Sequence, residues 1–202
     1  MLDAPARRLL GPSLERVGSR IADLGVHPLV LTGLGWLAGV GACVAVAGHA
    51  WMAGLVLWLT NRVLDGLDGP VARRRGVSDI GGFLDIVADF SIYGGFVLAV
   101  AVAVPGARLA CVALLVTYYI SGTAFLALSS LVERRGGGRG DERSLRFVGG
   151  LAEGTETILV YVLFCLLPCH AAVIAWVFTA VVAITAVQRV FIGVRVLRAE
   201  PS

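Results

Sequence analysis

From Leu29 onward the chain is a succession of apolar stretches, each long enough to cross a bilayer, with few charges inside them and short polar breaks between. A spanning helix needs roughly 20 mostly apolar residues, and in lipid only helices or closed barrels satisfy every backbone polar group. The candidate spans are His27 to Gly48, Trp51 to Val71, Ile80 to Val104, Arg108 to Val132, Phe147 to Leu167 and Ala171 to Val194. These six occupy most of the 202 residues and leave no room for a separate soluble domain. The chain is 57% hydrophobic and 15% charged, with a mean hydropathy of +0.85, where an average soluble domain is about 25% charged. The expected fold is an all-α integral membrane bundle of six transmembrane helices over residues 27–198. An amphipathic interfacial helix over residues 1–26 precedes it. There Leu10, Leu14, Val17, Ile21 and Leu24 recur at helical spacing around Arg16 and Arg20, without the continuous apolar core of a cleavable signal peptide.

The basic residues are all arginine, and their positions orient the bundle. Arg7, Arg8, Arg16 and Arg20 precede the first span, Arg73 to Arg75 follow the second, Arg134 to Arg146 follow the fourth, and Arg195 and Arg198 follow the sixth. The opposite connections, near His49, Pro105 and Pro168, carry only Arg108. The positive-inside rule then assigns both termini and the long polar loops to the cytoplasm. A net charge of +3 speaks for topology and not for nucleic acid. The run Gly136 to Gly140 reads as a flexible loop, since no strand precedes it as in a phosphate cradle. The cysteines (Cys43, Cys111, Cys165, Cys169) read as small buried hydrophobes, Cys165 and Cys169 being the one pair at helical spacing. Trp36, Trp51, Trp58 and Trp176 include candidates for the membrane-interface belt.

Against this background Asp65, Asp68, Asp85 and Asp89 fall within 25 residues, at the cytoplasmic end of span two and the start of span three. A charge at the centre of a spanning helix costs about 2.5–3.5 kcal/mol on insertion scales, so such a cluster requires cations or partners. At 100° per residue, Asp65, Asp68 and Ala72 share a face of one helix, and Gly81, Asp85 and Asp89 form a stripe on the next. Four converging carboxylates suit hard divalent cations, magnesium or manganese. Gly69 and Ala72 leave a trough where a nucleotide can approach the helix backbone, and Arg73 adds a cation for phosphate.

The segments Asp65-Gly-Leu-Asp68-Gly69-Pro-Val-Ala72-Arg73 and Gly81-Gly-Phe-Leu-Asp85-Ile-Val-Ala-Asp89 resemble the signature of the CDP-alcohol phosphotransferase (CDP-alcohol phosphatidyltransferase) family, with all eight signature residues present. The interval between Arg73 and Gly81 is seven residues where the usual pattern has eight, a gap in the polar turn. His27-Pro28-Leu29-Val30-Leu31-Thr32 also looks like the family's opening of span one. The resemblance implies a homodimeric membrane enzyme of phospholipid synthesis. In it Asp65, Asp68 and Asp85 hold metal ions, a pair of Mg2+ or Mn2+, and Asp89 shares in this and acts as general base. Gly69, Ala72, Arg73 and Gly81 would line the CDP site. The donor is a CDP-alcohol, with CDP-diacylglycerol the common one, and the acceptor is a small alcohol left open by the sequence.

Further polar residues are candidates for the acceptor. Glu153 and Glu156 enter span five on the same side as the aspartates, either to contact the acceptor or to cap the helix and pair with Arg143 or Arg146. Arg189 could bind an acceptor phosphate or snorkel to the interface. Arg62, three residues before Asp65, is placed to neutralise it, with no catalytic role assigned. Two other classes share some of these features. An aspartate-rich-motif prenyltransferase would place its motifs on well-separated spans. A cation transporter would carry acids near the midplane, on broken helices in both halves of the chain.

Overall fold

The computed structural model describes residues 3–134 and 154–198. The expected start of span five at Phe147, the glycine run 136–140, and Arg143, Arg146 and Glu153 lie outside the described residues. The described chain is helical: α1 (Asp3–Asp23), α2 (Pro28–Ala47), α3 (Trp51–Arg75), α4 (Asp79–Ala103), α5 (Arg108–Val132), α6 (Gly154–Leu166) and α7 (Ala171–Arg198), with single 3-10 turns at Pro105–Ala107 and Pro168–His170. Among the described residues four helical stretches are long and apolar enough to cross a bilayer, namely α2, α4, and α5 and α7 each with its preceding 3-10 turn. Helix α3 has 25 residues but carries Arg62, Asp65, Asp68 and three terminal arginines. The described part of α6 has 13 residues, about 20 Å at 1.5 Å per residue, and the expected start of this span at Phe147 lies outside the described residues.

Packing follows the small residues. On α2 the buried positions Leu31, Gly35, Gly39, Ala42 and Val46 form one stripe, and along it α2 packs on both α3 and α4. A Cβ at Gly39 would stand 2.8 Å from Ile92 of α4, so the axes meet as closely as they do because no side chain intervenes. Helix α1 lies on α3, where a Cβ at Gly18 would meet the Pro70 ring at 2.6 Å. Helices α5 and α7 form a second tightly packed pair.

The core is aromatic where α3, α4 and α6 meet. Trp58, Phe96, Tyr161 and Phe164 are fully buried, with Phe96 and Tyr161 stacked at 4.5 Å between ring centroids. Trp58, grouped among the belt candidates by sequence, instead lies in this core and donates its indole N–H to the Ile158 carbonyl. All four cysteines are free; Cys165 is buried and Cys169 exposed, so they do not pair.

Candidate active site

Helix α3 runs unbroken through Asp65 and Asp68 to Arg75, with Pro70 inside it. Only Gly76, Val77 and Ser78 then separate it from α4. Gly76 adopts φ +116, a left-handed conformation that suits glycine, and the Ser78 hydroxyl accepts from the Gly81 amide, capping α4. This three-residue turn lies within the seven-residue interval between Arg73 and Gly81, and the two acidic stripes face each other across it.

The outcome is three carboxylates and one, not four alike. Candidate ligand oxygens of Asp65, Asp68 and Asp85 all lie within 4.8 Å of one another. Octahedral coordination at about 2.1 Å sets ligand oxygens about 3.0 Å apart when adjacent and about 4.2 Å when opposite, so side-chain adjustment would draw the trio onto one magnesium-sized cation. The donor set is all oxygen, as a hard cation requires. Thr32 of α2 donates to Asp68 Oδ2 at 2.9 Å and fixes that carboxylate from the side.

Asp89, expected to share in the metal site, borders one small space with Asp65 and Asp85 and also pairs with Arg62. Its Oδ1 accepts from Arg62 Nη2 at 2.8 Å, whereas Asp65 Oδ2 lies 3.5 Å from Arg62 Nη1. Arg62 therefore serves Asp89 more closely than Asp65, its expected partner. The Arg62 side chain is only 7% exposed. It donates through Nε to Asn61 Oδ1 at 2.7 Å and through Nη1 to the Tyr93 hydroxyl at 2.8 Å. Its guanidinium carbon lies 4.7 Å from the Trp58 ring centroid and 5.0 Å from that of Tyr93. Sequence reasoning missed this arrangement, although two signals were present. Arg62 is an ionisable residue inside a spanning helix, and Tyr93 continues the stripe Gly81, Asp85, Asp89 by one more turn.

Beside the trio opens a cavity of about 190 Å³ whose walls include Asp68, Gly69, Ala72, Gly81 and Asp85, together with Thr32. Three of the four residues expected to receive the nucleotide thus surround one space that Asp68 and Asp85 also border. Arg73 does not line it. This arginine instead forms an ion pair with Glu15 of α1, while Arg74 pairs with Asp23 at 3.1 Å and Arg75 donates to the Ala22 carbonyl at 3.1 Å. A second cavity, of about 480 Å³, opens between α4, α5, α6 and α7, bordered by Tyr93, Tyr118, Ser121, Thr123, Thr157 and Arg189. Arg189 does not reach for the interface: it donates to the Ser121 hydroxyl at 2.9 Å and lies over the Phe125 ring. Glu156 sits in the first turn of α6.

Known proteins share this organisation. An inner membrane protein of Escherichia coli strain K12, YnjF, is 39% identical over 204 aligned residues, covering 98% of each chain. The archaetidylinositol phosphate synthase of Pyrococcus horikoshii is 41% identical over 78 residues, 38% of this chain and 41% of that one. In structure the chain is similar to the phosphatidylinositol phosphate synthase PgsA1 of Mycobacterium tuberculosis, solved with CDP-DAG bound (TM-score 0.71, 22% identity, 89% of this chain and 92% of that one). The same protein in complex with manganese and citrate matches with the same TM-score, over 89% and 88%. Residues 26–188 match the CDP-alcohol phosphatidyltransferase family as a whole, and with the signature intact on one hairpin, this enzyme belongs to that family.

Proposed function

We propose that the chain transfers a substituted phosphate from CDP-diacylglycerol to a small alcohol and releases CMP. The observation that carries this is the carboxylate trio, Asp65, Asp68 and Asp85, opening on a cavity bordered by Gly69, Ala72 and Gly81. The trio and Asp89 form the divalent-metal site for Mg2+ or Mn2+, two ions when fully loaded, and the small residues admit the CDP moiety against the helix backbone. Arg73 joins the diphosphate by leaving Glu15. When bound, the metal neutralises charge on the diphosphate as it is cleaved. Asp89 takes the proton of the acceptor hydroxyl. The hydroxyl oxygen bonds to the phosphorus that carries the lipid, the bond from that phosphorus to the bridging oxygen breaks, and its electron pair leaves with CMP.

The family relationship and the arginine distribution support six spans within 27–198, with residues 1–26 on the membrane surface, both termini and the site cytoplasmic, and a homodimeric assembly. The acceptor approaches from the cavity between α4 and α7. Arg189 borders it, so a phosphorylated polyol heads the list of acceptors. A transporter reading finds less support, because α3 and α4 run as continuous helices through all four aspartates. The test is purified protein in lipid with Mg2+ or Mn2+, CDP-diacylglycerol and a panel of alcohols with and without phosphate. Acceptor-dependent CMP, absent from Asp89→Asn, is the expected result; no CMP from a folded, donor-binding protein would overturn the reaction.

A further inference from the structure

We propose that Tyr93 is an acceptor-binding residue: its phenolic O–H donates to the oxygen that neighbours the reacting hydroxyl of the acceptor. The inference rests on the reaction proposed above and names a contact that selects its substrate. Tyr93 follows Asp89 by one turn of α4, so the two side chains leave the helix on one face. One guanidinium ties them together: Arg62 donates through Nη2 to Asp89 Oδ1 and through Nη1 to the Tyr93 hydroxyl, both at 2.8 Å. Because the two nitrogens belong to one planar group, the phenolic oxygen and the carboxylate are held side by side. The ring is fixed as well. It packs edge-on against Trp58 and Tyr161, with centroids 6.0 and 6.1 Å away, and the Tyr93 carbonyl accepts from the Tyr161 hydroxyl at 2.7 Å.

A phenolic hydroxyl can accept and donate at once. That of Tyr93 accepts from Arg62, and among the described residues no group takes its own proton. The Tyr161 proton, by contrast, goes to the Tyr93 carbonyl. A phenylalanine would fill the same place between Trp58 and Tyr161, so packing alone does not require the oxygen. Receiving the Arg62 proton explains that oxygen as an acceptor but leaves its O–H without a task. Tyr93 also borders the cavity of about 480 Å³ between α4 and α7, from which the acceptor approaches. An alcohol whose hydroxyl reaches Asp89 from that cavity brings the substituent on its adjacent carbon to Tyr93. The contact therefore favours an oxygen there, as in a 1,2-diol or polyol, over hydrogen or carbon.

The test uses the full chain in phospholipid nanodiscs with CDP-diacylglycerol and Mn2+, comparing wild type with Tyr93→Phe. Polyols, polyol phosphates and amino alcohols are screened as acceptors by CMP release. The best is then paired with its analogue carrying hydrogen in place of the hydroxyl next to the reacting one; for glycerol 3-phosphate this is 3-hydroxypropyl phosphate. Mn2+ binding is read separately by electron paramagnetic resonance without substrate. Wild type should favour the parent acceptor about tenfold in kcat/KM, what one neutral hydrogen bond supplies. Tyr93→Phe should lose that factor on the parent and stay within about threefold of wild type on the analogue, so the discrimination disappears. The KM for CDP-diacylglycerol and the Mn2+ affinity should also stay within about threefold, since neither involves the phenol. A purely structural role would slow parent and analogue alike. Equal slowing, discrimination retained in Tyr93→Phe, or Mn2+ affinity that falls with turnover overturns the proposal. So does a wild type that prefers an alcohol without the neighbouring oxygen or uses parent and analogue equally well, a comparison that stands even if Tyr93→Phe does not fold. No CMP from wild type with any acceptor is a different failure, that of the underlying reaction, and it takes the contact with it.

Discussion

Helix α3 carries arginine in two settings about 16 Å apart along its axis, at 1.5 Å per residue from 62 to 73. At the inner one, Arg62 is buried among two aspartates, a tyrosine hydroxyl and two aromatic rings. At the outer one, Arg73, Arg74 and Arg75 are exposed, and each is tied to α1 by one contact. The residue type is the same and the physics differs. Breaking a buried pair by removing one partner leaves an uncompensated charge and costs about 3–5 kcal/mol. An exposed pair contributes about 0–1 kcal/mol and is screened by salt. The inner arginine is part of the architecture of the site, whereas the outer ones can change partners at little cost, as the proposed approach of Arg73 to a diphosphate requires.

The comparison can be broken or sharpened by substitution. The largest effect belongs to the acids of the proposed metal site: Asp85→Asn should reduce turnover by at least about a thousandfold, the several kcal/mol a metal supplies, and abolish stabilisation by Mn2+ in a thermal melt. Next, Arg62→Ala should destabilise the metal-free protein by about 3 kcal/mol, the lower end for a buried pair because Asp65 and Asp89 retain some solvent contact. A fall in thermal midpoint measured in detergent reads this; an unchanged midpoint would equate the inner arginine with the outer ones. Gly69→Leu fills the proposed donor cavity; the nearest group to an added Cβ is Arg73 Nη1, at 3.4 Å. The KM for CDP-diacylglycerol should rise about tenfold or more, while Mn2+ binding persists. The smallest effect is expected of Asp23→Ala, within about 1 kcal/mol of wild type and smaller still at high salt.

The helical spacing in the sequence made the hairpin legible. Asp65, Asp68 and Ala72 on one face and Gly81, Asp85 and Asp89 on another could converge only across a short turn, and three of the four acids do meet as expected. The pairing of the fourth, Asp89, with Arg62 was not legible, because periodicity says which way a side chain points and not which group on another helix will reach it. Arg62 lies on the same helix as Asp65, so proximity in sequence suggested that pair. The shorter contact is to Asp89, 27 residues on, and it depends on how α3 and α4 cross. Glu15 as the partner of Arg73 was hidden for the same reason, since the spacing of apolar residues in α1 marks a membrane-surface helix and does not show that it covers the end of α3. Trp58 illustrates the opposite error. Tryptophan is common at membrane interfaces, but this one is enclosed by Phe96 and Tyr161 and donates across to α6.

The turn Gly76–Ser78 has a consequence for how such an enzyme can diversify. Because three residues join the two acid-bearing helices, the candidate ligands reside in one continuous segment of 25 residues whose ends cannot drift apart. The tether keeps the two pairs of carboxylates at a high effective concentration for one another, as a short linker does for two binding modules. Metal capture is then encoded locally, as a cassette. Helices α5 to α7, which border the other cavity, are left free to vary their side chains, so under the proposed function a new acceptor specificity can arise without re-forming the carboxylate cluster.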